Sequence, residues 1–184
     1  MDIGELPPDL QEAVAFHGHI CPGLVIGWRA ARAAAQFLGL DRSADEELVA
    51  LVENDSCSAD AFQVLLSTTF GKGNLRWLDH GKQVFTVIDR GRKRAVRVAF
   101  RGDHLKTTGP DGTTDRQAFM QALIQAPEEE ILKLEEVEPL APEKARIEPS
   151  LTCAVCGEGV QKSRSVESGD RVLCRPCARR EGLL

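Results

Sequence analysis

Apolar residues first recur at helical spacing after Pro8, where Leu10, Ala13, Val14 and His17 fall on one side. Proline suits a first helical turn, so the pattern predicts a helix opening near Pro8 with His17 at its C-terminal end. Pro22 predicts a second start. Its helix carries an apolar stripe of Leu24, Trp28, Ala31, Ala35 and Leu38, an outward face of Arg29, Arg32 and Gln36, and a stop at Gly39. The run Leu48–Val52 is apolar throughout and predicts a buried strand, followed by turn and capping residues Asn54, Asp55 and Ser56. A third helix is expected from about Cys57 through Phe62, Leu65, Leu66 and Thr69.

Residues 83–89 and 94–100 alternate as two strands about an Arg90-Gly91-Arg92-Lys93 turn, and their Arg and Lys content suits a sheet edge. A Gly/Thr/Asp-rich stretch, Arg101 to Thr114, precedes a helix over roughly 115–125. Pro127 opens a short acidic helix, and 132–137 returns as a strand. Helices alternating with three or four short strands, with no internal repeat, predict an α+β or α/β core.

Pro139, Pro142 and Pro149 forbid continuous helix, so 139–150 reads as a semi-rigid linker between a core of 1–138 and a tail of 151–184. Charge divides in the same place. Residues 1–149 hold 17 basic and 24 acidic side chains, whereas 150–184 hold 6 and 4. A formal net charge of −5 weighs against nucleic acid as a partner, and a chain without tyrosine and with 5% aromatics offers no stacking platform. Gly23, Gly27, Arg29 and Arg32 interrupt the longest apolar stretch, which argues against a membrane span. Met1-Asp2-Ile3-Gly4-Glu5 lacks the basic start of a secretion signal, so the expected compartment is the cytoplasm.

In a reducing compartment six cysteines point to metal rather than disulfides. Cys153-x-x-Cys156 and Cys174-x-x-Cys177, seventeen residues apart, have the spacing of a four-cysteine zinc ribbon. A hairpin of 160–165 against 171–173, turning at Ser168-Gly169-Asp170, would bring the two knuckles together. So short a piece has few aliphatics, and metal must supply its folding energy. Upstream, His17, His19 and Cys21 alternate, so an extended or turning segment can point all three to one side. Cys57, expected at a helix N-terminus, is placed where the dipole favours a thiolate. Two imidazoles and two thiolates suit Zn²⁺, giving two zinc sites per chain. With only three protein ligands, an open position would permit water activation; a buried free cysteine at 57 and solvated imidazoles are the plainer reading.

The stretches Phe16-His-Gly-His-Ile-Cys-Pro-Gly-Leu24, Val52-Glu-Asn-Asp-Ser-Cys-Ser-Ala-Asp-Ala61, Thr69-Phe-Gly-Lys-Gly-Asn-Leu75 and Asp79-His-Gly-Lys82 together resemble the FmdE family of formylmethanofuran dehydrogenase proteins. The resemblance covers nearly the whole chain, and many members carry a C-terminal four-cysteine ribbon. It implies an α+β core of helices on a small, mostly antiparallel or mixed sheet, a homodimer, and a link to molybdenum- or tungsten-dependent formylmethanofuran chemistry. The family's metal-motif residues fall on His17, His19, Cys21 and Cys57, with Asp60 supporting them. One departure stands out: Ser67-Thr68-Thr69 occupies the place of a Gly-Cys-Thr in similar sequences, so a thiol is missing at Thr68.

Weaker signals remain. Gly71-Lys72-Gly73-Asn74 could cradle an anion but lacks a P-loop pattern, and reads better as a plain loop. The basic run around Arg90–Arg101 reads as a solvated hairpin. His80 and His104 lie in loops without ligand spacing. No nucleophile elbow, dinucleotide fingerprint or ferredoxin-like cysteine run is present. The leading expectation is a zinc-binding accessory protein that joins an oxidoreductase complex. The alternatives are a metal-dependent enzyme, with Asp60 or His104 moving protons beside an open zinc position, and a zinc-ribbon regulator.

Overall fold

The computed structural model describes residues 3–109 and 112–184; Met1, Asp2, and Pro110 and Asp111 of the Gly/Thr/Asp-rich stretch lie outside them. The chain falls into two compact units, Met1–Lys144 and Ala145–Leu184.

The first unit is α+β. Helices α1 (Pro8–His17) and α2 (Pro22–Leu38) lead into strand β1 (Leu48–Val52), helix α3 (Ser58–Leu66), and strands β2 (Leu75–Trp77), β3 (Val84–Asp89) and β4 (Arg94–Phe100). Helices α4 (Arg116–Gln125) and α5 (Glu128–Ile131) precede strand β5 (Leu132–Val137). The five strands form one mixed sheet in the order β2-β1-β3-β4-β5, with only β1 and β2 parallel.

Strand β1 is apolar throughout because both its faces are covered. Leu48, Ala50 and Val52 join Phe85, Val87, Val96 and Val98 beneath the helices, while Val49, Ile88 and Ala95 form a small cluster on the opposite face with Leu51, Val137 and Ala141 against it. Register keeps the two sets apart, since Val52 stands opposite Phe85 and Phe85 opposite Val98, whereas Val49 stands opposite Ile88 and Ile88 opposite Ala95.

Helix α2 is the central helix and is buried on most sides, not along one stripe. Arg29, expected to face outward, is half-buried. Its guanidinium donates to the carbonyls of Leu123 at 2.6 Å, Ile124 at 3.2 Å and Ala126 at 2.8 Å, capping α4; burial lowers its pKa. Helix α3 stops at Leu66, short of Thr69, because Ser67 takes a left-handed φ of 56° and the buried Thr68 hydroxyl donates to the Phe62 carbonyl at 3.1 Å. Strand β2 is too brief to leave an alternation signal. Strand β4 lies inside the sheet, not at an edge, and its arginines are engaged: Arg94 with Glu136 at 2.7 Å, and Arg97 with Glu53 at 3.6 Å and Glu135 at 4.0 Å. Arg92 likewise donates to the carbonyls of Leu38 and Gly39, both at 2.8 Å, so the basic run ties elements together. In the Gly71–Asn74 loop the amides of Lys72 and Gly73 bond inside the loop, and the fully buried Asn74 fastens it to the Leu48 carbonyl at 2.9 Å.

The second unit holds strands β6 (Ser150–Thr152), β7 (Gly159–Gln161), β8 (Ser165–Ser168) and β9 (Arg171–Cys174), then helix α6 (Arg175–Arg180). The expected single hairpin is two: β6 pairs with β7 and β8 with β9. A 3-10 turn at Lys162–Arg164 separates β7 from β8. No helix among the described residues is long and apolar enough to cross a membrane.

A Cβ added at Gly27 of α2 would stand 2.2 Å from the Ser58 carbonyl oxygen of α3. Gly→Ala in a helix ordinarily gains up to about 1 kcal/mol. Here the clash reverses the sign, and G27A should destabilise this unit by roughly 2–3 kcal/mol. Denaturant unfolding followed by tryptophan fluorescence reads this unit alone, since Trp28 and Trp77 both lie in it.

Candidate metal centres

The first centre is assembled from three helix ends. His17 is the last residue of α1, Cys21 is the extended N-cap of α2 with Pro22 following, and Cys57 is the N-cap of α3. One ligand atom from each of His17, Cys21 and Cys57 lies within 4.8 Å of the others. Nε2 of His17 is 3.9 Å from Sγ of Cys21, which also accepts the Leu24 amide at 3.4 Å. The other ring nitrogen is committed: Nδ1 of His17 is 2.7 Å from Asp60 Oδ2, and Gln63 donates to Asp60 Oδ1 at 3.0 Å. An Nδ1–H donated to a carboxylate leaves Nε2 as the lone pair facing the thiols, the arrangement that orients a metal-bound histidine. Desolvation, followed by the neighbouring Cys21 thiol, raises the Cys57 pKa.

His19 stands apart from this trio. It is exposed, and its ring lies 4.6 Å from that of His17 at a tilt of 36°. His80 is 3.2 Å from Glu53 Oε2, and His104 contacts the Arg101 carbonyl at 3.2 Å.

The residues flanking Cys57 are held by a network that their sequence signals only as turn chemistry. Asn54 Oδ1 accepts from the Ser56 amide at 3.1 Å and the Ser58 hydroxyl at 3.2 Å, and Gln83 Nε2 donates to Ser56 Oγ at 3.1 Å. Asn54 also donates to the Lys82 carbonyl at 2.6 Å, linking the start of α3 to the start of β3. No spacing rule reveals this partnership, because Gln83 and Ser56 are 27 residues apart.

The second centre gathers Cys153, Cys156, Cys174 and Cys177, again with ligand atoms within 4.8 Å of one another. Sγ of Cys156 is 3.9 Å from Sγ of Cys174. A tetrahedral zinc with Zn–S near 2.3 Å separates its sulfurs by about 3.8 Å, so four thiolates at this spacing fit such an ion. Amides of Cys156, Cys174 and Val155 lower the Cys153 thiol to about 6. Nη2 of Arg180 donates to Cys177 Sγ at 2.9 Å.

The family model described as "FmdE, Molybdenum formylmethanofuran dehydrogenase operon" matches residues 16–138. A probable S-adenosyl-L-methionine-binding protein of Archaeoglobus fulgidus is 31% identical over 195 aligned positions, covering 92% of this chain; the chain spans 52% of that relative's length, about half. A crystal structure of an FmdE-like protein of tungsten formylmethanofuran dehydrogenase, from Syntrophus aciditrophicus, superposes with a TM-score of 0.70 at 25% identity, covering 95% of this chain and 92% of that one. Its likeness spans the α+β fold, and the matched segment of the family model opens at Phe16, immediately before the His17–Cys21 motif, so the chain belongs to the FmdE family.

Proposed function

We propose that this protein binds two zinc ions, one at His17, Cys21 and Cys57 and one at the four ribbon cysteines, and serves as an accessory component of a formylmethanofuran dehydrogenase-type oxidoreductase. In this reading a metal-binding core (1–138) is joined by a proline-rich linker (139–150) to a zinc ribbon (151–184), and the protein works in the cytoplasm as a homodimer. The observation that carries it is the convergence of one imidazole and two thiols from three helix ends, with the imidazole oriented by Asp60. The matched family model and the Syntrophus protein, both named for formylmethanofuran dehydrogenase, support the partner.

The ribbon's four sulfurs fill a tetrahedral sphere, which suits a structural ion. In the core, three donors leave one position, and His19 is the candidate to fill it from the adjoining loop. A second reading follows from the Asp60–His17 pair: exchange of His19 for water or substrate would make the core ion a Lewis acid.

Metal analysis of the purified full chain should find two zinc ions, and C57S should retain one. H19A should keep both while releasing the core ion about tenfold faster to a chelator. One ion in the unaltered protein, held by the ribbon, would refute the core site. D60N should weaken core zinc affinity by roughly 10–100-fold, the usual effect of removing a carboxylate that orients a ligating histidine. R180A removes a charge-assisted bond to Cys177. It should speed zinc loss from the ribbon by about tenfold with the core ion unaffected, as read by a colorimetric chelator.

A further inference from the structure

Beside the first centre lies a cleft of about 570 Å³ that neither metal site uses. Its volume falls within the range of small-molecule sites. It adjoins the metal-ligand group on two sides. Pro22 and Gly23, which directly follow Cys21, line it, and a Cβ placed at Gly23 would lie 3.3 Å from Cys57 Cβ and 3.9 Å from Cys57 Sγ. Gln83 lines it too, and its amide bonds to Ser56 and Ser58, the residues on either side of Cys57.

The lining combines two chemistries. Ile26, Val84, Phe100 and Phe119 supply apolar walls. The charged groups on the cleft are Lys82, Lys106 and Asp103. Lys106 pairs with Asp103 and also lies 5.7 Å from the Phe119 ring centroid, so its ammonium is already engaged. Lys82 has no carboxylate partner among the described residues, which leaves the cleft one uncompensated positive charge in a chain whose formal net charge is −5. Aromatic and aliphatic walls bind a compact apolar body, and a lone ammonium selects a negative group over a neutral or positive one.

We propose that this cleft binds a small organic carboxylate with an apolar body, its anionic group on Lys82, alongside the His17–Cys21–Cys57 group. The placement beside a metal ion rests on the function proposed above; the anion preference rests on Lys82 and the cleft walls. The occupant is the ligand that an accessory protein would hold, or a metal-dependent enzyme would act on, next to the core ion.

The test uses the full-length zinc-containing protein with phenylacetate as probe and phenylacetamide as its uncharged match, titrated by calorimetry, with zinc counted on the same samples. Phenylacetate should bind saturably at one site per chain. K82Q should weaken it by about fivefold, as should replacing the carboxylate by the amide, while the zinc content of K82Q stays at that of the unaltered protein. Absent saturable binding, or equal binding by K82Q, would overturn the cleft assignment. The two readings separate in the same data. Lys82-dependent binding by a protein holding one ion supports the cleft and removes the core metal; two ions with Lys82-independent binding removes the cleft alone.

Discussion

The position of α3 against α2 depends on two missing side chains. Gly23 and Gly27 are four residues apart and therefore on one face of α2, and α3 lies against that face so closely that a Cβ at Gly27 would overlap Ser58 and one at Gly23 would press on Cys57. Helices whose axes approach this nearly have no room for an intervening layer of side chains, so the N-terminal ends of α2 and α3 are forced together. The N-cap residues of those two ends are Cys21 and Cys57. The glycines that interrupt the longest apolar stretch are thus the packing device that brings the two thiols to one place.

The two centres hold their sulfurs by different physics. Around Cys153, amides of the surrounding knuckles point at sulfur and favour the thiolate, drawing it to about 6. Cys57 has the N-terminal end of α3 next to it, yet burial and the facing Cys21 thiol outweigh that and raise its pKa. Two thiols packed together out of water are an unfavourable pair unless protons or a cation neutralise them. A divalent ion is the natural counter-charge for such a pair, and the His17 imidazole, fixed by Asp60 so that its lone pair looks inward, is the third donor such an ion uses.

Much of this is legible from residue types and spacing. Pro8, Pro22 and Gly39 mark helix boundaries that the structure keeps, and the Leu48–Val52 run is a buried strand because both faces of that strand are covered. What cannot be read depends on partners distant in sequence. Arg29 looks like a solvated residue on its own helix, and only the arrival of α4 shows that it caps three carbonyls 94 to 97 residues away. The trio of His17, Cys21 and Cys57 is readable in type but not in membership: alternation suggests that His19 shares their side, and the turn after α1, with Gly18 at φ 92°, leaves His19 exposed instead. The ribbon's cysteine spacing forecasts its cluster, while its pairing into two hairpins is set by the turn at Lys162–Arg164.

Size separates the roles of the two groups. Leu173 and Ala178 are the only non-cysteine residues in the buried cluster of the second unit, so removing a cation there would leave almost no apolar burial to hold the knuckles. The first unit has a large cluster spanning four strands and its main helices, including Phe62, Phe85, Leu10 and Leu24, all fully buried. Its fold does not need an ion to be compact. Gathering two buried thiols and a carboxylate-held histidine inside such a core adds desolvation cost without a folding requirement, and departures of this kind from the cheapest core are where function resides. The ion of the ribbon therefore belongs to its architecture, and the ion of the larger unit to what the protein does with the cleft beside it.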